Sequence, residues 1–164
     1  MKTTHDSQYR GNLVVAVVIA ALASFLAFPS LVEAWRTDLY ARGGPAAFAI
    51  WILTHIVVFI LNRNQSRHPA RWTTIAALTC AAGSVADLRV LLHAGLALAF
   101  TGLAGFRFTG LASAVAALSW MPAAGWFISR LRAGGLDGWE RPLVATAFAV
   151  VIITAVRIRN SQRS

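Results

Sequence analysis

Hydrophobic positions along this chain gather into six long apolar blocks, separated by short clusters of Arg, Gly, Pro and acidic residues. A membrane crossing takes ~20 apolar residues in a helix, so each block reads as one spanning or near-spanning helix. The expected helices are Asn12–Val32, Pro45–Asn62, Trp72–Ala86, Leu88–Phe106, Thr109–Leu131 and Pro142–Ile158. Gly43-Gly44-Pro45 opens the second with a stop signal followed by a proline in the first turn, and Pro142 opens the sixth in the same way. The third and fourth blocks together cover Trp72–Phe106, too long for a single crossing at about 1.5 Å per residue. Gly83-Ser84 and the charged Asp87 and Arg89 supply the break. A tight helical hairpin is expected there, with a re-entrant pair as the alternative.

The first block needs separate treatment. It follows Lys2 and Arg10 and ends in Val32-Glu33-Ala34, a triplet that would pass for a signal-peptidase site. The apolar run Leu13–Val32 nevertheless exceeds the about 7–15 residues of a secretory core, so a retained first spanning helix is expected. The fold class is then all-α: a polytopic transmembrane bundle of about six helices, one integral membrane domain over residues 1–164.

Composition agrees. Of 164 residues, 57% are hydrophobic and 13% charged, about half the charged share of a soluble domain. That excludes a soluble domain and a disordered chain. The single cysteine excludes a disulfide scaffold. The net charge of +9 would suggest nucleic acid in a soluble protein. Here the basic residues lie between apolar blocks, where they set orientation, and no nucleic-acid partner is expected. With six crossings and a cytoplasmic N-terminus, the inner segments hold Lys2, Arg10, Arg63, Arg67, Arg71, Arg107, Arg157, Arg159 and Arg163. The outer segments hold Arg36, Arg42, Arg89, Arg130, Arg132 and Arg141. Asp6 is the one inner acid, against Glu33, Asp38, Asp87, Asp137 and Glu140 outside. Both tallies put both termini in the cytoplasm. Lys2 is the only lysine beside the arginines, in a chain rich in Ala and Gly, as in a GC-rich bacterial genome; the expected location is a bacterial inner membrane.

Trp35, Trp72, Trp126 and Trp139 fall near expected helix ends, where aromatic belts sit, while Trp51 and Trp120 fall inside segments as packing or lipid-facing residues. The stretch Ser129–Arg141 could lie along the outer surface. Gly95 and Ala99, Gly110 and Ala114, and Ser113 and Ala117 are spaced four apart, which lets helices approach closely in lipid.

Few residues carry chemistry. Cys80 and His93 fall at nearly one depth in the expected hairpin, and Arg89 shares the face of His93 four residues on. A thiol, an imidazole and a guanidinium could serve as nucleophile, base and oxyanion stabiliser. The competing reading is a cysteine acting as a small apolar packing residue. His55 and His93 are the intramembrane histidines and could ligate a b-type haem, although their expected depths differ. No metal motif, intramembrane carboxylate pair, Walker loop or dinucleotide glycine motif occurs. No metal and no cofactor other than that haem is expected.

From Trp35 to about Leu131 the order of features resembles the N-terminal half of the exosortase/archaeosortase membrane family. The features are Trp35-Arg36-Thr37-Asp38 leading to Gly43-Gly44-Pro45, then a helix with Trp51 ending at Arg63 and Arg67. A Leu/Ala/Gly-rich run from Val90 to Ala99 follows, and then Met121-Pro122. The resemblance implies membrane transpeptidase-like ancestry. The family's Cys, Arg and His belong to later helices that this chain lacks, so no residue is carried over as catalytic. Cys80 is followed by Ala81-Ala82-Gly83 rather than the family's Cys-small-Gly context. The expectation is a non-catalytic accessory subunit of a larger membrane complex, whether for export and surface anchoring, respiration or photosynthesis. Its partners would be the bilayer and other membrane subunits. The alternatives are a small exosortase-type cysteine enzyme using Cys80, Arg89 and His93, and a b-haem protein using His55 and His93.

Overall fold

The computed structural model describes residues 2–38, 41–61, 70–103, 110–128 and 139–162. These residues form helices α1 (Lys2–Thr37), α2 (Gly44–Leu61), α3 (Ala70–Val85), α4 (Arg89–Leu103), α5 (Gly110–Ala116), α6 (Gly125–Ile128) and α7 (Glu140–Ser161), with no strand among them. Short 3₁₀ turns at Ala117–Ser119 and Pro122–Ala124 lie between α5 and α6. Among the described residues, three helices are long and apolar enough to cross a membrane: Gly11–Thr37 of α1, α2 and α7. Their outward faces carry large apolar side chains such as Val14, Phe25, Leu53, Ile60 and Val150, all well exposed. A soluble protein does not leave such faces to water. The hydrocarbon of a bilayer is the solvent that suits them.

The hairpin of α3 and α4 is the most extensive helix pair. Small residues hold it in one register. Gly83 lies against Leu91 and Leu92, Gly95 against Cys80 and Ala76, and Gly102 against Trp72 and Thr73. A side chain at any of these glycines would meet the facing helix, so close backbone approach sets the pairing. The turn is a Schellman closure: Leu88 N–H donates to Gly83 O at 2.9 Å, and Asp87 sits at φ 52°. Aspartate is one of the few L-residues that visit this left-handed region readily. The re-entrant alternative concerned depth in a bilayer; the antiparallel hairpin itself is present.

Side-chain contacts fix the other helix directions. Ser30 meets His93 and Glu33 meets Arg89, so α1 and α4 run antiparallel. Gly43, at φ 76°, turns the chain into α2, and Trp35 lies directly over Gly44. Asn160 Nδ2 donates to Leu61 O at 3.1 Å, joining the C-terminal ends of α2 and α7, which run parallel.

Several expected boundaries change: the first helix runs on to Thr37 rather than ending at Val32, and the last spans Glu140–Ser161 rather than Pro142–Ile158. The first helix starts ten residues earlier than Asn12, at Lys2, because the polar N-terminal turns continue the same helix. The fifth segment, expected as one helix over Thr109–Leu131, is interrupted. Met121 is extended at φ −68°, ψ 130°, and the helix before it tightens into a 3₁₀ turn. Pro122 is the cause. Its ring disfavours a helical residue before it, and it has no N–H to continue the ladder. The surface segment expected over Ser129–Arg141 lies mostly outside the described residues, as do Arg63, Arg67 and Arg107.

Candidate functional site

The interruption at Met121 frees backbone carbonyls inside the bundle, where no water can satisfy them. Three consecutive ones find donors on two other helices. Arg141 Nη1 donates to Ser119 O at 2.8 Å and Met121 O at 3.0 Å. Trp35 Nε1 donates to Trp120 O at 3.1 Å. Arg141 is 0% exposed, a buried guanidinium standing where the broken helix presents its negative end. Pro142, next to it, needs no N–H partner in the first turn of α7. The sequence pattern assigned Arg141 to an outer loop as an orientation signal; its side chain instead ties α7 to the helix break.

Aromatic rings fill the space beside this joint. Trp120 is fully buried, edge-on to Phe48 at 5.1 Å and near Trp51 at 5.4 Å. Trp35 meets Phe48 at 5.6 Å. Trp120 and Trp51 are therefore packing residues, and Trp35 turns inward rather than joining a lipid-facing belt. Trp139 is exposed, as a belt residue would be.

A second polar group lies deeper. His55 Nδ1 is 2.8 Å from Trp51 O. A carbonyl only accepts, so Nδ1 carries the proton, and in the neutral ring Nε2 accepts from Ser113 Oγ at 2.7 Å. Thr101 Oγ1 lies 3.2 Å from Ser113 Oγ and 2.8 Å from Ala97 O, sharing its one proton between them. Trp51 Nε1 donates to Ser113 O at 3.1 Å. This chain of bonds joins α2, α4 and α5 through side chains that are all buried. Residues far apart in sequence compose it: His55 stood out as an intramembrane histidine, Trp51 as an aromatic inside its segment and Ser113 as a small residue four before Ala117, but no sequence signal paired them, and Thr101 carried none.

Each residue of the candidate catalytic set Cys80, Arg89 and His93 has a partner outside the set. Cys80 packs its Sγ over Gly95 and borders an apolar cleft toward α1. His93 Nε2 is 2.9 Å from Ser30 Oγ. Arg89 pairs with Glu33 at 3.0 Å, both side chains well exposed. Each of the three thus engages a different partner. The two histidines likewise serve separate joints, His55 with Ser113 and His93 with Ser30. Among the described residues no three of His, Cys, Asp and Glu cluster as metal ligands.

Beside His55 a groove of about 350 Å³ opens between α1, α2 and α4, with an apolar lining that includes Val17, Ile56, Phe59 and Leu103. No protein-family model, no curated protein and no solved structure matches the chain. The arrangement joins helices, and it leaves an apolar groove open at the surface of the bundle.

Proposed function

We propose that the chain is a multi-pass protein of a bacterial inner membrane, with about six crossings and both termini cytoplasmic, that serves as a non-catalytic accessory subunit of a larger membrane complex. The supporting observation is the use made of its interior polar groups. Arg141 holds the carbonyls of the helix break, His55 and Ser113 join α2 to α5, and His93 and Ser30 join α4 to α1. Each is engaged in a helix–helix joint, which suits a scaffold whose work lies at its outer faces. The exosortase-like order of features favours an export or surface-anchoring machine as the partner.

The test is mild-detergent purification of the tagged chain from its native membrane, with mass spectrometry of what stays bound. Stoichiometric recovery of one larger complex is expected. Recovery of the chain alone, or loss of cellular function in Cys80→Ala, would overturn the subunit reading in favour of the thiol enzyme. A Soret band in the purified protein would do so in favour of haem.

A further inference from the structure

We propose that the groove between α1, α2 and α4 seats one acyl chain of an anionic phospholipid, whose phosphate headgroup lies at the arginine-bearing end of the bundle. The inference rests on the membrane reading above and not on the subunit role. The groove lies beside His55, with Leu13 and Val17 on α1, Ile56 and Phe59 on α2, and Leu103 on α4. His55 directs both ring nitrogens inward, to Trp51 O and Ser113 Oγ, so the groove offers a ligand no polar atom from that ring. A quinone or a peptide would need one. A hydrocarbon chain does not.

The groove sits at a seam. The helices divide into α1, α3 and α4 on one side and α2 with α7 on the other, and direct contact between the two sets is sparse at α2 and α4. The polar joint of His55, Ser113 and Thr101 closes the inner wall of the seam, and its outer side is open, which on the membrane reading turns it to the acyl layer.

Charge selects the headgroup. Leu103 follows Gly102, which abuts Trp72 and Thr73, so Arg71 lies level with the rim of the groove. Phe59 is two residues from Leu61, whose carbonyl is bound by Asn160, so Arg157 and Arg159 lie at that same level. Arg71 and Arg157 are exposed. A phosphate at the rim of the groove, with its acyl chain running down into it, meets the exposed Arg71 and Arg157 there.

The purified full chain in detergent is titrated with phosphatidylglycerol and with phosphatidylcholine of identical chains, and retained lipid is counted by native mass spectrometry. One phosphatidylglycerol per protein is expected, held more tightly than phosphatidylcholine. Val17→Trp places an indole in the groove from an exposed position and should weaken retention of both lipids at least about tenfold. Val150→Trp, on the outward face of α7, should leave retention unchanged. Arg71→Gln and Arg157→Gln should each cost about fivefold for phosphatidylglycerol and nothing for phosphatidylcholine. Equal retention of the two lipids, or retention indifferent to both Val17→Trp and Ile56→Trp, would overturn the proposal. Neither result bears on whether the chain belongs to a complex.

Discussion

Replacing Arg141 with Ala tests the account of the broken helix most directly. The substitution leaves Ser119 O and Met121 O without their donor, in a place the fold keeps dry. A buried acceptor without a partner costs about 1–3 kcal/mol, so two cost about 2–6 kcal/mol. Part of this is offset, because a buried guanidinium loses hydration on folding and Ala does not. The expected destabilisation is therefore about 2–4 kcal/mol, the lower part of that range. For a chain of this size that is a fall of about 5–15 °C in melting temperature, followed by tryptophan fluorescence in detergent. Arg141→Lys should recover part of the loss, since one ammonium cannot reproduce the planar fork at both oxygens. Arg89→Ala is the control. Its pair with Glu33 is 64% and 59% exposed, and such pairs contribute at most about 1 kcal/mol. Pro122→Ala supplies the second axis of a double-mutant cycle. If Pro122 keeps the carbonyls free for Arg141, the two substitutions should couple by at least about 1 kcal/mol. An Arg141→Ala protein no less stable than Arg89→Ala, or additive behaviour with Pro122→Ala, would refute the reasoning.

Three further outcomes follow from the same contacts. Gly95→Ala drives a methyl into Cys80 Sγ and should lower stability by about 1–3 kcal/mol, and Cys80→Ala in the same chain should restore most of it; a loss that persists in the double variant would exclude this clash as its cause. Ser113→Ala removes the donor to His55 Nε2 and should cost about 1–3 kcal/mol by the same melt, while Thr146→Ala, whose hydroxyl serves only its own helix at Pro142 O, should change little. Asp87→Val should lower the melting temperature through about 1–2 kcal/mol of left-handed strain, whereas Asp87→Gly should not; equal effects would remove the Schellman turn as the cause.

What the sequence made legible, and what it did not, divides along the range of the interactions. The helix-forming blocks were legible because each depends on its own composition. Pro45–Asn62 became Gly44–Leu61, and the hairpin turn fell at Asp87 as the break residues indicated. The broken fifth helix could have been read from Met121-Pro122, since a proline inside an apolar run acts on the residue before it. It was masked by the length of the apolar block, which suits a continuous span equally well. Lipid tolerates an internal proline when other groups satisfy the freed carbonyls, and those groups are not neighbours in sequence.

The role of Arg141 shows why orientation signals and structural ligands are hard to separate in a chain like this one. Counted by position, Arg141 is one more cation beside a helix end. In the fold it is wholly buried and bonded to a helix break some twenty residues upstream. The cue lies in a pairing: a proline that frees carbonyls near one end of the bundle, and an arginine at the start of the helix that returns to that end. Trp35 completes it from a third helix, and its indole also lies on Gly44, where any larger residue would displace it. One joint therefore ties α1, the start of α2, the break and α7 together. A change at Gly44 should disturb the Trp120 carbonyl as surely as a change at Arg141 disturbs its neighbours. The helices were written locally, but the joint that orders them was written in four places at once.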